Sequence, residues 1–394
     1  MIEGFDIFCV SSMDWESVWG SRQAYMDILR QKNRVFFIQS QYGPEHILKH
    51  PQLFVKIFRY FFKRVKNIKK NLWIIEPPMQ LPCNLLSKRI NSMNQKLSLR
   101  YWKRIKKEMG LNNILLWIYN PYFPDILGGL DEKLSLYFCI DAFSILSRGR
   151  KKNTIDILEE KQIKNVDVNI VITKKLYEDK SGIRSDINLV YNGCDYEGIR
   201  KVFESDKSVP FPLMQIPHPI LGHIGSINGK LDLSLIYLLA SRNPGWQFVF
   251  VGEIFYADIS AFLFNQLKML PNIHFIGRVP REKISYYEKY FDICLNVYKI
   301  NSWTVYVKPL KVFEYLATGK PIISTPLPEL DEFKDVILFS NNVDEFEKNI
   351  NGCLSGVLKI DTMRQLDHAR RYSWQSRVET VSRIINDAIL KKEK

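Results

Sequence analysis

Short apolar runs that lack polar alternation recur along the whole chain, each followed by a helix-like segment. They are Phe5–Val10, Val35–Ile38, Leu72–Ile75, Ile114–Ile118, Ser135–Ile140, Val168–Ile172 and Leu189–Tyr191, then Ile220–Ile224, Gln247–Val251, Ile273–Ile276, Ile293–Val297, Pro321–Ser324 and Val336–Phe339. A strand wetted on one face alternates polar and apolar residues; these do not. Each therefore has to be buried on both faces, as in a parallel sheet covered by helices on either side. That is the doubly wound α/β architecture.

The rhythm breaks once. Val209–Pro219 holds four prolines in eleven residues, which disfavours both a long helix and a central strand. The chain of 394 residues is long enough for two domains with cores of their own. The expected division is 1–208, a linker at 209–219, a second domain at 220–371, and a C-terminal stretch at 372–394 whose Tyr372–Lys391 forms one long helix. Two sheets, each with helices on both faces, imply a cleft between them.

The net charge of +14 is confined to one place. Between His46 and Lys107 there are sixteen Lys and Arg and one acid, Glu76. The remainder carries 40 basic and 41 acidic residues, a balance of −1. Such a patch attracts phosphate-rich partners: nucleic acid, anionic lipid or a phosphorylated substrate. Phe54, Ile57, Phe58, Phe61, Val65 and Ile68 follow helical spacing, with Lys56, Arg59, Lys63, Lys66 and Lys70 on another side. The expectation is a basic amphipathic helix lying on an anionic membrane surface. Lys103 and Arg104 belong to a second cluster, where Tyr101 and Trp102 would suit the headgroup region. A solvated helix on an ordinary core is the alternative, and nucleic-acid binding is a third, without a recognised motif.

Other bounds are quickly stated. Met1–Val10 lacks the basic start and long apolar core of a secretory signal, and no run is long enough to span a membrane. The six cysteines are too widely spaced for zinc ligation and are expected as buried, reduced thiols in a cytoplasmic protein.

Two C-terminal segments carry chemistry. In Leu221–Lys230 (LGHIGSINGK) glycines at a strand-to-helix turn let backbone N–H groups approach a ligand, and a helix N-terminus favours phosphate. The spacing is not GxGxxG, so a dehydrogenase fingerprint is unsupported. In Lys308–Thr325 (KPLKVFEYLATGKPIIST) a helix is expected from Pro309 to Gly319, followed by a strand. Glu314 stands amid apolar neighbours, where a carboxylate can accept two hydrogen bonds from vicinal hydroxyls such as those of a ribose. Lys308 and Lys311 at the helix start oppose the helix dipole, which suggests an anionic ligand nearby. Tight-turn glycines and solvated lysines without a ligand are the plain alternatives.

The segment PLKVFEYLATGKPIISTPLPEL resembles the donor-site helix of GT-B glycosyltransferases near family GT4, in the branch of bacterial polysaccharide and teichuronic-acid-type transferases. Asp14-Trp15 with Arg22-Gln23, Leu115–Pro121, Tyr137–Asp141, Asn192–Asp195 and Ile224–Ser226 fit the same families in the same order. The resemblance implies two Rossmann-like domains facing across a cleft, with the last helix crossing back to the first domain. It implies a nucleotide-sugar donor, expected to be UDP-linked, with Glu314 on the ribose hydroxyls. Gly225, Ser226 and Lys230 would lie near the donor phosphates, Arg278 near the base, and Lys308, Leu310 and Lys311 near diphosphate and sugar. Many such enzymes carry a second Glu eight positions before the ribose-binding one; Tyr306 stands there in this chain.

Transfer to a hydroxyl needs a proton acceptor. Asp141, ending its strand, is the first candidate and Asp14 the second; either can instead be a helix N-cap. Glu159 or Glu160, before Val166–Ile172, matches another acid of those families, with a structural role as the equal alternative. No Asp-x-Asp pair exists to hold a divalent cation on a diphosphate, and no His/Cys cluster offers metal ligands, so no metal and no separate cofactor is expected. His218 and His223 are read as structural. The resulting expectation is a cytoplasmic enzyme on the inner membrane face, moving a sugar to a lipid-linked or other glycan acceptor of the cell envelope. An epimerase or hydrolase on the same scaffold, or a nucleic-acid-binding protein, are the alternatives.

Overall fold

A computed structural model describes residues 1–11, 13–41, 65–145, 147–205 and 210–394. The chain forms two compact units, Met1–Tyr191 with Arg377–Lys394, and Asn192–Ser376.

Among its described residues the first unit holds eight strands: β1 (Asp6–Val10), β2 (Arg34–Ile38), β3 (Val65–Lys69), β4 (Leu72–Ile75), β5 (Ile114–Ile118), β6 (Leu134–Cys139), β7 (Val168–Val171) and β8 (Ile187–Leu189). Its helices are α1 (Ser21–Leu29), α2 (Lys88–Glu108), α3 (Gly149–Asn165) and α4 (Lys174–Ser181). The sheet order is β3-β4-β2-β1-β5-β6-β7-β8. Every pairing is parallel except β3 against β4 at the edge. All residues of β1, β5 and β6 are buried, as their unbroken apolar runs require.

The second unit holds β9 (Ile220–Ile224), β10 (Gln247–Val251), β11 (Ile273–Gly277), β12 (Ile293–Asn296), β13 (Ile322–Ser324) and β14 (Leu338–Phe339). They run all parallel in the order β11-β10-β9-β12-β13-β14. Around them lie α5 (Tyr196–Phe203), α6 (Phe211–Met214), α7 (Leu233–Arg242), α8 (Ala261–Met269), α9 (Arg281–Tyr290), α10 (Leu310–Thr318), α11 (Val343–Leu354) and α12 (Thr362–Arg371). The final helix, α13 (Trp374–Lys392), returns the chain to the first unit from Arg377 onward. There Lys392 pairs with Asp167 at 3.0 Å and Glu393 with Lys133 at 2.9 Å.

Three expectations need correction. The second unit starts at Asn192, earlier than the proline-rich stretch, because α5 belongs to it: Arg200 on α5 donates to the Ala317 carbonyl of α10 at 3.4 Å. That stretch also contains a short helix, α6, entered through Pro210 and Pro212. The basic helix expected over 54–70 is not continuous. Val65, Lys66 and Ile68 lie on edge strand β3, paired antiparallel with β4, while Lys56, Arg59 and Lys63 lie outside the described residues. Trp102 does not face outward either. It is fully buried, edge-on to Phe8 at 5.6 Å and tilted against Phe123 at 5.7 Å in the core of the first sheet.

Helix α2 explains why. Its inner face is apolar only in the C-terminal half, at Trp102 and Ile105; in the first half it is Asn91, Asn94, Gln95 and Ser98. These amides serve the backbone of neighbouring loops. Asn94 accepts from the Leu81 N–H at 2.7 Å and donates to the Leu81 carbonyl at 3.1 Å, and Gln95 accepts from the Asp125 N–H at 2.7 Å. With those residues inward, helical geometry turns Met93, Leu97, Arg89, Lys96, Arg100 and Lys103 to solvent.

Candidate functional site

Strands β11, β10 and β9 deliver their carboxyl ends side by side, the edge at which α/β sheets collect ligands. Gly225 follows β9 with φ +117°, a region that side chains rarely enter. Its N–H donates to the Val251 carbonyl at 2.9 Å, and a Cβ on Gly252 would stand 2.1 Å from the Gly225 carbonyl oxygen. The turn has room for bare backbone only.

Helix α10 is fastened to this turn. The Tyr315 hydroxyl, fully buried, accepts the Ile224 N–H at 2.7 Å. One helical turn earlier, Lys311 Nζ lies 2.8 Å from His223 Nε2 and 4.8 Å from the centroid of the Tyr298 ring. A Cβ placed on Gly225 would stand 3.3 Å from the same nitrogen. Burial holds the Lys311 pKa well below the ordinary lysine range, the nearby Lys230 adds to this, and Glu314 opposes it. The Lys230 ammonium rests 4.3 Å over the Trp303 ring, in the loop that leads to Tyr306.

Glu314 shares the α10 face of Lys311 and Tyr315. Its carboxylate accepts no hydrogen bond from any described residue. Burial raises its pKa, Arg281 and Lys311 pull it down, and Asp195 pushes it up. Behind it Glu288 is completely buried, its pKa driven up by burial and then by the Glu314 charge. The arrangement is an acceptor-only group to which no described residue donates, next to the Lys311 amino group and a backbone turn. It suits a ligand with vicinal hydroxyls at one end and an anion at the other.

The other expected donor residues spread further. Ser226 follows Gly225 and is half-buried, as are Tyr306 and Leu310, the last of which opens α10. Arg278 follows the end of β11 and stands 3.9 Å from Glu253 with more than half its side chain exposed. Lys308 turns elsewhere: its side chain is 1% exposed, ion-paired with Glu332 and 5.2 Å over the Phe333 ring. Among the two lysines expected at the helix start, Lys311 alone reaches the Gly225 turn.

In the first unit, Asp141 and Asp14 both follow strand ends, β6 and β1. Neither caps a helix, since α1 is preceded by Gly20 and α3 by Arg148. Asp141 is exposed, its Oδ1 accepting the Ala142 N–H at 2.9 Å. Asp14 Oδ1 accepts the Ser40 N–H at 3.2 Å and so ties the turn after β1 to the turn after β2. Arg22 lies close enough to Asp141 for their charges to interact, with its guanidinium 5.7 Å over the Tyr119 ring. Glu159 is buried in a satisfied network, accepting from Tyr137 Oη at 2.8 Å and Lys180 Nζ at 2.7 Å, whereas Glu160 pairs with Lys164 on the surface. Glu159 therefore supports β6 beneath Asp141.

Sequence reasoning read His223 as structural and did not single out Tyr298, Trp303 or Arg281. His223 carried a weak signal, a polar residue inside an apolar strand; the others are ordinary surface-compatible residues in sequence. Among the described residues, no group of three or more His, Cys, Asp or Glu is gathered as a metal site, and no helix is long and apolar enough to cross a membrane. Four cysteines are buried, while Cys83 is exposed and Cys353 half-buried.

Residues 234–383 match the family described as Glycosyl transferase-like. The chain is 29% identical over 234 residues to TuaH of Bacillus subtilis (strain 168), named as a teichuronic acid biosynthesis glycosyltransferase. That match spans 56% of this chain and 57% of the relative. Among solved structures, sucrose-phosphate synthase from Thermosynechococcus elongatus superposes with a TM-score of 0.69 at 12% identity, covering 98% of this chain and 100% of that one. A trehalose-6-phosphate protein from E. coli bound with UDP-2-fluoro glucose gives 0.65 at 12% identity, covering 98% and 99%. HepE of Anabaena in complex with UDP gives 0.64 at 11% identity, covering 98% and 100%. The fold is GT-B; the sequence resembles the Glycosyl transferase-like family over residues 234–383 and one teichuronic acid biosynthesis glycosyltransferase over 234 residues.

Proposed function

On the premise of that fold and kinship, we propose that the chain is a glycosyltransferase that moves a sugar from a nucleotide-sugar donor to a membrane-associated glycan acceptor in cell-envelope polysaccharide synthesis. The observation that carries the donor half is the Glu314 carboxylate, to which no described residue donates a hydrogen bond, on the same helix face as Lys311. Glu314 accepts from the two ribose hydroxyls. Lys311, Lys230 and the backbone at Gly225 and Ser226 neutralise the diphosphate as it leaves, without a metal ion. Arg278 borders the base. Two of the similar solved structures hold UDP or a UDP-sugar by name, which supports a UDP-linked donor.

The first unit supplies the acceptor side. Asp141, exposed at the end of β6, takes the proton from the attacking hydroxyl, and Asp14 holds the neighbouring turn. With Tyr306 in place of the acid common at that position, the sugar is held by hydroxyl and aromatic groups rather than by a carboxylate.

The outward face of α2 supports a membrane-bound acceptor. Met93 and Leu97 are exposed there among Arg89, Lys96, Arg100 and Lys103. A helix whose polar amides point inward and whose apolar and cationic side chains point outward fits an anionic leaflet, at about 1 kcal/mol per basic residue near the surface. Arg104 contributes less, being paired with Glu108 at 2.6 Å.

A panel of nucleotide sugars screened by thermal shift tests the donor reading, since a ligand bound only by the native state raises its melting temperature. The expected result is stabilisation by one nucleotide class, lost in Glu314→Ala. Stabilisation by none, or equal stabilisation of the variant, refutes it. Release of free sugar from the donor without any acceptor favours a hydrolase instead.

A further inference from the structure

His223 reaches the site from beneath. It lies on β9, buried, two residues before Gly225. Its Nδ1 is 3.2 Å from the Leu295 carbonyl, and a carbonyl oxygen only accepts, so the ring proton is on Nδ1. Nε2 keeps its lone pair, and the atom facing it at 2.8 Å is Lys311 Nζ. A doubly protonated ring would place two cations at hydrogen-bond distance in a buried setting; burial and Lys311 together keep the imidazole neutral.

The Lys311 amino group is thereby fixed. His223 is its one acceptor among the described residues, the Tyr298 ring covers another side, and the Gly225 turn lies along a third. A free lysine side chain otherwise samples many rotamers, an entropy that a binding event would have to overcome. Ordering it beforehand removes that cost from ligand binding.

We propose that His223 is a positioning residue for donor binding: its Nε2 lone pair holds the Lys311 amino group at the Gly225 turn, so that the remaining N–H groups meet the donor diphosphate. This rests on the donor reading above. It gives His223 a role that ends at the phosphates and does not extend to the base or ribose.

Calorimetry on the full chain with UDP and with uridine tests it. His223→Asn retains a donor for the Leu295 carbonyl and lacks an atom at the Nε2 position; His223→Gln places an oxygen near that position. The Asn variant should lose about tenfold in UDP affinity, the scale of one hydrogen bond to a charged group, with uridine affinity unchanged. The Gln variant should retain most of the UDP affinity. If His223 acts through Lys311, the double variant with Lys311→Met binds UDP no more weakly than Lys311→Met alone. Equal losses in Asn and Gln variants, a loss for uridine matching that for UDP, or full additivity in the cycle each overturn the proposal. If His223→Asn does not fold, His223→Phe, which keeps a ring without nitrogens, takes its place in the cycle. A wild-type chain that binds none of UDP, GDP, ADP and CDP removes the donor reading and this one with it. Wild-type binding of UDP that His223→Asn reproduces removes only the role of His223.

Discussion

Replacing Glu314 with Gln changes one charge and almost no volume. No described residue donates a hydrogen bond to this carboxylate, so the substitution leaves no partner unpaired in the unliganded chain. Burial raises the Glu314 pKa against the opposing pull of Arg281 and Lys311. For an acid whose pKa is higher folded than unfolded, the ionised form is the one that folding disfavours. The penalty is absent below the unfolded pKa, grows as pH rises toward the folded pKa, and is complete above it. At neutral pH the Gln variant is free of that penalty and should melt at or above the wild-type temperature. Donor binding should move the other way. Two hydrogen bonds from ribose hydroxyls to a carboxylate are worth about 1.5–3 kcal/mol each, and the amide retains one neutral acceptor. A net loss of about 1.5–3 kcal/mol corresponds to roughly 10- to 100-fold in Kd. Calorimetry with the stabilising nucleotide sugar, alongside melting of the unliganded protein, measures both. Wild-type affinity should also fall as pH is lowered through a midpoint above the ordinary Glu value of about 4.3, a dependence that the variant lacks. Unchanged affinity, or a melting temperature several degrees lower, would show that Glu314 serves the fold and not a ribose.

Asp141→Asn should lower turnover by roughly 100-fold or more, the scale of general base catalysis, while donor affinity measured by calorimetry stays the same; near-normal turnover removes Asp141 as the base. Lys308→Met breaks a buried ion pair with Glu332 and should cost about 3 kcal/mol in urea unfolding; loss of donor affinity with stability intact would place Lys308 in the donor site after all. Reversing Arg89, Lys96, Arg100 and Lys103 to Glu should free the protein from anionic vesicles in flotation without changing its melting temperature; continued flotation refutes the α2 membrane face.

The fold was legible because its signal is local. Apolar runs at β1, β5, β6 and β9 announce burial on both faces, and Asp232 and Gly319 mark where helices begin and end, Asp232 by accepting the Leu235 N–H at 3.1 Å and Gly319 by its φ of +73°. The donor helix was legible for the same reason, through Pro309, Glu314 and Gly319 in one short segment. The basic stretch was less so. Helical spacing over 54–70 competed with strand pairing that depends on β4, and β3 formed because an antiparallel partner lies one tight turn away at Lys70-Asn71. Periodicity does not report a partner. Likewise Tyr101 and Trp102 look alike in sequence, but the register of α2 on the core buries Trp102 fully and leaves Tyr101 half-buried.

By itself, then, the sequence determined the parallel α/β class, the two sheets and the helix bearing Glu314, since each follows from hydrophobic periodicity and from caps only a few residues away. The tertiary structure decided what each charge does. Lys308 and Lys311 stand three positions apart with the same chemistry, yet one is neutralised by Glu332 and the other is held by His223 at the Gly225 turn. Which way a lysine turns depends on acceptors 24 and 88 positions away in the chain. No local pattern encodes that, because the energy of a buried charge is set by the groups that folding gathers around it.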